Sequence, residues 1–159
     1  MQYLKIILIG WVKMINFNPI QADVLFNQID KFSRYFPFSV DYIECPEFRT
    51  EKYEWFFITD DSFSTTEERE TWLGLVCVTE NKYLGGQNIH LSVLEVAKPL
   101  RNLNIGTSIV DRFIDISRRS GYETLSLQVR NRDLLRFYRR FGFRDVVLRG
   151  GMELEVLDL

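Results

Sequence analysis

The sequence has 159 residues, 46% of them apolar and 26% charged, with a net charge of −2. That is the make-up of a globular domain, and it excludes a disordered tail or a collagen-like fibre. The aromatics, Phe 13, Tyr 7 and Trp 3, are enough to fill a sizeable core. The longest apolar run, Ile6 to Val12, falls far short of the ~20 residues that cross a bilayer, and no cleavable small-residue site follows it. Cys45 and Cys77 are neither paired at metal spacing nor numerous, and His90 is the one histidine, so no metal site is expected. The expectation is a single soluble, cytoplasmic domain over 1–159.

Residues 3–9 are rich in Ile and read as an extra strand or an N-terminal extension over 1–13, whereas Met14 to Phe17 offers an alternative first strand. Asn18-Pro19-Ile20-Gln21 reads as a helix opening, with Asn as cap and Pro in the first turn. Leu25, Ile29 and Phe32 continue at helical spacing until Pro37. An irregular stretch over 38–53, a loop or short helix, leads into strands predicted at Glu54 to Thr59, Trp72 to Thr79 and Ile89 to Val96, an antiparallel meander with turns at Asp60-Asp61 and Gly85-Gly86. Ile105, Ile109, Phe113 and Ile116 then mark an amphipathic helix ending at Gly121. Leu125, Leu127 and Val129 alternate as a strand. Asn131 caps a further helix that turns Leu134, Phe137 or Tyr138, and Phe141 inward, and 143–157 forms a hairpin across Gly150-Gly151. This order gives a mixed-sheet α/β domain.

Charge is unevenly spread. Residues 41–80 carry eleven acids against Arg49, Lys52 and Arg69, net −8, whereas 101–150 carry eleven Arg against five acids, net +6. Two ligands of opposite charge, or two solvated faces, are both consistent with this. The mildly acidic total argues against nucleic acid as a partner.

The segment Val96-Ala97-Lys98-Pro99-Leu100-Arg101-Asn102-Leu103-Asn104-Ile105-Gly106-Thr107 ends a strand, passes through a short basic loop and opens a helix. Free helix-start amides and the helix dipole make such a junction an anion site, with Lys98 and Arg101 adding full charges. Arg101 to Gly106 resembles the Arg/Gln-x-x-Gly-x-Gly/Ala pyrophosphate loop of the Gcn5-related N-acetyltransferase (GNAT) superfamily. Asn131 with Phe137-Tyr138 and Gly142-Phe143 resembles the segment that closes that family's cofactor site. The similarity extends over about 72–146. Asn stands at 102 and 104, where glycines often sit, and Asn enters left-handed backbone more readily than other non-glycine residues.

The resemblance implies a GNAT-like acyl-CoA N-acyltransferase fold with a mixed, mostly antiparallel central sheet flanked by helices. It implies acetyl-CoA as co-substrate, with no metal and no membrane, held by Leu94, Val96, Arg101, Asn102, Leu103, Asn104, Ile105, Gly106, Thr107, Asn131 and Tyr138. Tyr138 is the expected acid that protonates the departing thiolate; read without the resemblance it is a core aromatic. Asn131 is also a plain helix cap. His90 and Glu95 are candidate bases for the amine, although a lone strand His is often structural and Glu95 equally well faces solvent. The acceptor is a primary amine, cationic if the acidic window lines its cleft, attacking in a ternary complex. A non-catalytic acyl-CoA-binding module and a toxin-type enzyme acting on aminoacyl-tRNA are the alternatives. A homodimer is consistent with the aromatic-rich N-terminal region.

Overall fold

A computed structural model describes residues 15–60 and 72–159. The strand reading at 3–9, Met14 and Asp61 lie outside them. In chain order the elements are β1 (Ile15–Ile20), α1 (Ala22–Asn27), α2 (Ile29–Ser33), α3 (Val40–Glu44), a 3-10 turn (Pro46–Arg49), β2 (Tyr53–Asp60), β3 (Gly74–Glu80) and β4 (Asn88–Val96). A second 3-10 turn (Lys98–Leu100), α4 (Ile105–Arg119), β5 (Thr124–Leu127), α5 (Arg132–Arg139), β6 (Arg144–Val147) and β7 (Glu153–Asp158) complete the order. The strands form one seven-stranded mixed sheet ordered β1-β2-β3-β4-β5-β7-β6. β1 runs antiparallel to β2, β4 parallel to β5, and β7 antiparallel to both β5 and β6.

Two compact units are distinguished, one of the described residues up to Cys77 with Val93–Arg112, the other Val78–Ser92 with Phe113–Leu159. In the first, α1 to α3 cover one face of the strands. Leu25, Phe32 and Phe36 pack with Trp55, Phe57, Trp72 and Leu75, all buried. Phe57 stacks on Trp72 with centroids 4.9 Å apart and planes 10° apart, and Phe32 lies 4.9 Å from Trp72. Ile58 and Gly74 turn to the opposite face, towards Ile109 of α4. A Cβ on Gly74 would sit 2.8 Å from the Ile109 Cδ1 and 3.1 Å from Glu95 O, so a side chain at this strand position must push the Ile109 methyl aside and crowd a backbone carbonyl.

In the second unit β5 is held between β4 and β7, with Leu125 and Leu127 buried. The closing hairpin turns at Gly150 and Gly151, whose φ of 94° and 83° are left-handed values that favour glycine.

Three sequence expectations need correction. Asn18 and Pro19 belong to β1, and the first helix starts only at Ala22. The Asn18 amide donates to Thr59 Oγ1 at 2.7 Å instead of capping, and Pro19 is tolerated because β1 is an edge strand among the described residues. β5 stops at Leu127, where its ladder with β4 ends at Leu91, so Val129 is not in it. Leu134 is 51% exposed, so α5 turns Tyr138 inward and leaves Leu134 to solvent.

Candidate active site

The loop between β4 and α4 lies wholly in the first unit. Ala97 donates its amide to Leu73 O at 2.9 Å, which ends the strand, and Leu100 N closes the 3-10 turn on Ala97 O at 2.8 Å. Pro99 suits that turn because its ring sets φ and it has no amide to satisfy. Asn102 and Asn104 then take φ of 64° and 59°. Left-handed backbone at these two positions lets the chain reverse into the helix, the role that glycine plays in the resembled loop. Asn104 O accepts from Ser108 N at 3.3 Å, the first bond of α4, so the amides of Ile105, Gly106 and Thr107 have no acceptor within the helix. They give the junction partial positive charge. Leu94 and Val96 are half-buried at the end of β4, while Val93 and Glu95 before and between them are buried.

Glu95 does not face solvent: it is 6% exposed, and both of its oxygens are engaged. Oε1 accepts from Phe38 N at 3.0 Å and from Arg101 Nη2 at 2.8 Å. Oε2 accepts from Ser39 N at 2.7 Å and Ser39 Oγ at 2.5 Å. Arg101 also donates from Nε to Val96 O at 3.3 Å, and its guanidinium lies 4.9 Å above the Phe38 ring. The Arg101 side chain is therefore tied back to the protein. A buried carboxylate needs such donors, because an isolated charge away from water is costly.

In the second unit His90 is 3% exposed. Its Nδ1 lies 2.9 Å from Ser126 Oγ and its ring makes an edge contact with Tyr83 at 4.8 Å. Burial, reinforced by the charge of Lys82, lowers its pKa to about 4, so the imidazole is neutral at pH 7 and a weak proton acceptor. Asn131 caps α5, its Oδ1 accepting from Asp133 N at 2.8 Å. Tyr138 is buried against Phe137 and Phe143, and burial pushes its phenol up to about 12. It therefore keeps its proton through the neutral range. Arg139 anchors the end of α5 to the hairpin, 2.6 Å from Asp145 and 3.7 Å from Glu155.

Sequence reasoning missed Phe38 and Ser39 as partners of the β4 end. They lie 57 and 56 residues from Glu95, and no local pattern links them.

The model of the acetyltransferase (GNAT) family matches residues 28–143. This chain belongs to the GNAT acetyltransferase family. No curated protein sequence matches it. Among solved structures it resembles the ribosomal-protein-S18-alanine N-acetyltransferase of Escherichia coli, with 18% identity, 91% of this chain and 94% of that one covered, and a TM-score of 0.61. An acetyltransferase from Thermus thermophilus shares 16% identity over 94% of this chain and 99% of its own, with a TM-score of 0.62. The PaiA N-acetyltransferase of Thermoplasma acidophilum, solved in complex with coenzyme A, shares 16% identity over 91% and 99%, with a TM-score of 0.57. At these identities the likeness concerns the fold, and the GNAT sheet and helix order are those described above. Among the described residues no group of His, Cys, Asp or Glu is arranged to hold a metal, and no helix is long and apolar enough to cross a membrane.

Proposed function

We propose that this GNAT protein transfers the acetyl group of acetyl-CoA to a primary amine by direct attack in a ternary complex. The observation that carries the reading is the junction of β4 and α4, where left-handed Asn102 and Asn104 open a helix whose first amides lack acceptors. That chemistry fits a diphosphate, and a relative of the same fold was solved with coenzyme A. The backbone from Leu94 to Val96 would receive the pantetheine and polarise the acetyl oxygen.

In the reaction the amine lone pair forms the new C–N bond as the thioester C–S bond breaks. The departing sulfur takes up negative charge, and Tyr138, protonated at neutral pH, donates to it. Proton removal from the ammonium falls to water, because Glu95 already holds four donors and His90 is buried and weakly basic. Two measurements test this. Tyr138→Phe is expected to lower kcat by about 10²-fold or more with little change in the KM for acetyl-CoA. The profile of kcat/KM against pH should rise to the pKa of the acceptor amine, and His90→Gln should leave that rise in place. Loss of the rise in His90→Gln would restore the histidine as the base.

The acceptor is cationic in this reading, since Asp41, Glu44 and Glu51 are exposed in the acidic window beyond α2. Replacing Glu44, Glu47 and Glu51 by Gln should raise the KM for a polyamine and leave that for a neutral amine unchanged. The engagement of Glu95 and the weak basicity of His90 also favour a second reading, a module that binds acyl-CoA without turnover. Calorimetry with acetyl-CoA beside a thiol-release assay over an amine panel separates the two.

A further inference from the structure

The mechanism above leaves Glu95 without a chemical task, yet both of its buried oxygens are fully engaged. Its partners come from two directions. Arg101 begins the loop that opens α4, and Phe38 and Ser39 end the turn that launches α3 with its exposed acids Asp41 and Glu44. Two further links run the same way: Lys98 N donates to Tyr35 O at 2.9 Å, and the Arg101 guanidinium lies over the Phe38 ring. That ring is 70% exposed, so the turn is not held there by burial of its own side chain. Polar bonds to Glu95 hold it, beside the turn's own bond from Ser39 N to Phe36 O at 3.2 Å.

We propose that Glu95 is a positioning residue that fixes the coenzyme loop and the acceptor-side turn with one buried carboxylate, so that a change at either element is felt at the other. The proposal rests on the acetyltransferase reading for its consequence in catalysis, but the coupling itself belongs to the free protein. The physical reason is that the donors are shared. A buried carboxylate must keep its oxygens satisfied, and withdrawing the Arg101 donor forces Oε1 to re-aim, which disturbs the Phe38 amide sharing that oxygen. Withdrawing the Ser39 hydroxyl leaves Oε2 with the Ser39 amide as its one donor, so the carboxylate can turn and its hold on Arg101 slackens.

The test uses the full chain with Arg101→Met and Ser39→Ala, each checked for a wild-type far-UV spectrum, and Glu95→Gln as a third variant. In coenzyme-free protein, Arg101→Met should speed amide hydrogen exchange at Phe38 and Ser39 by about tenfold, although the side chain at position 101 bonds to neither amide. Ser39→Ala should raise the Kd for coenzyme A by about fivefold, although Ser39 lies outside the loop, and should raise the KM for acetyl-CoA more than it lowers kcat. Glu95→Gln should show both effects. Exchange at Phe38 and Ser39 unchanged in Arg101→Met, or coenzyme A affinity unchanged in Ser39→Ala, overturns the coupling. If the wild type itself fails to bind coenzyme A, the acetyltransferase reading falls, and the exchange measurement alone then decides the coupling.

Discussion

At the scale of single residues, the two asparagines of the loop take the backbone conformation that the resembled family reaches with glycine, at φ of 64° and 59°. A side chain without a local hydrogen-bonding amide meets a cost of about 1–2 kcal/mol in that region. Asn104→Ala is therefore expected to lower stability by about 1 kcal/mol in chemical denaturation, and Asn104→Gly to leave it unchanged or slightly raised. Two buried titratable groups act in opposite senses. His90, lowered to about 4 by burial and by Lys82, binds its proton more weakly when folded, so its contribution is complete above pH 6.5 and is lost as pH falls towards 4. Glu155, raised to about 7 by burial and by Asp145 beside it, contributes fully below pH 4.5 and loses that contribution as pH rises towards 7. The two slopes oppose each other between pH 4.5 and 6.5. Each slope should therefore show in the melting temperature once the other group is removed. His90→Gln should leave a stability that falls as pH rises, and Glu155→Gln one that falls as pH drops.

At the scale of elements, the helix that follows the loop depends on a strand position that carries no side chain. Ile109 of α4 occupies the space beside Gly74, and a Cβ there would meet its methyl at 2.8 Å. Gly74→Ala should destabilise by about 1–3 kcal/mol, measured by denaturant unfolding, because the added methyl overpacks the space between the Ile109 methyl and the Glu95 carbonyl. The contrasting case is α5. Periodicity alone places Leu134 inward, but the helix buries Tyr138 and Arg139 ties its last turn to Asp145 and Glu155, which leaves Leu134 outside. Leu134→Glu should change stability by no more than about 0.5 kcal/mol. The helix pattern is readable in the sequence. The facing is not, because Leu134, Phe137, Tyr138 and Phe141 offer two overlapping apolar stripes and only the partner strands select one.

At the scale of the whole molecule, the aromatic wealth of the composition is concentrated where α1 to α3 cover the sheet, around Phe36, Phe57 and Trp72. Trp72→Ala should cost about 3–5 kcal/mol, a loss visible as an early unfolding midpoint. The order of elements from β2 onward, the left-handed tolerance of Asn102 and Asn104 and the cap at Asn131 can be read from sequence, because each depends on neighbours within a turn or two. Local chemistry misleads at Asn18-Pro19, a helix-start pattern that lies in an edge strand because β2 offers it a ladder.

What the sequence by itself determined, then, is the run of elements and the family, since hydrophobic period, glycine and asparagine placement and the loop motif are properties of contiguous residues. What only the tertiary structure decided is the surroundings of Glu95 and His90. Strand alternation assigns a residue to one of two faces without saying which face is dry. Three of the four donors to the Glu95 carboxylate arrive from a turn more than fifty residues earlier in the chain, and burial among distant strands, not the imidazole itself, is what makes His90 a poor base.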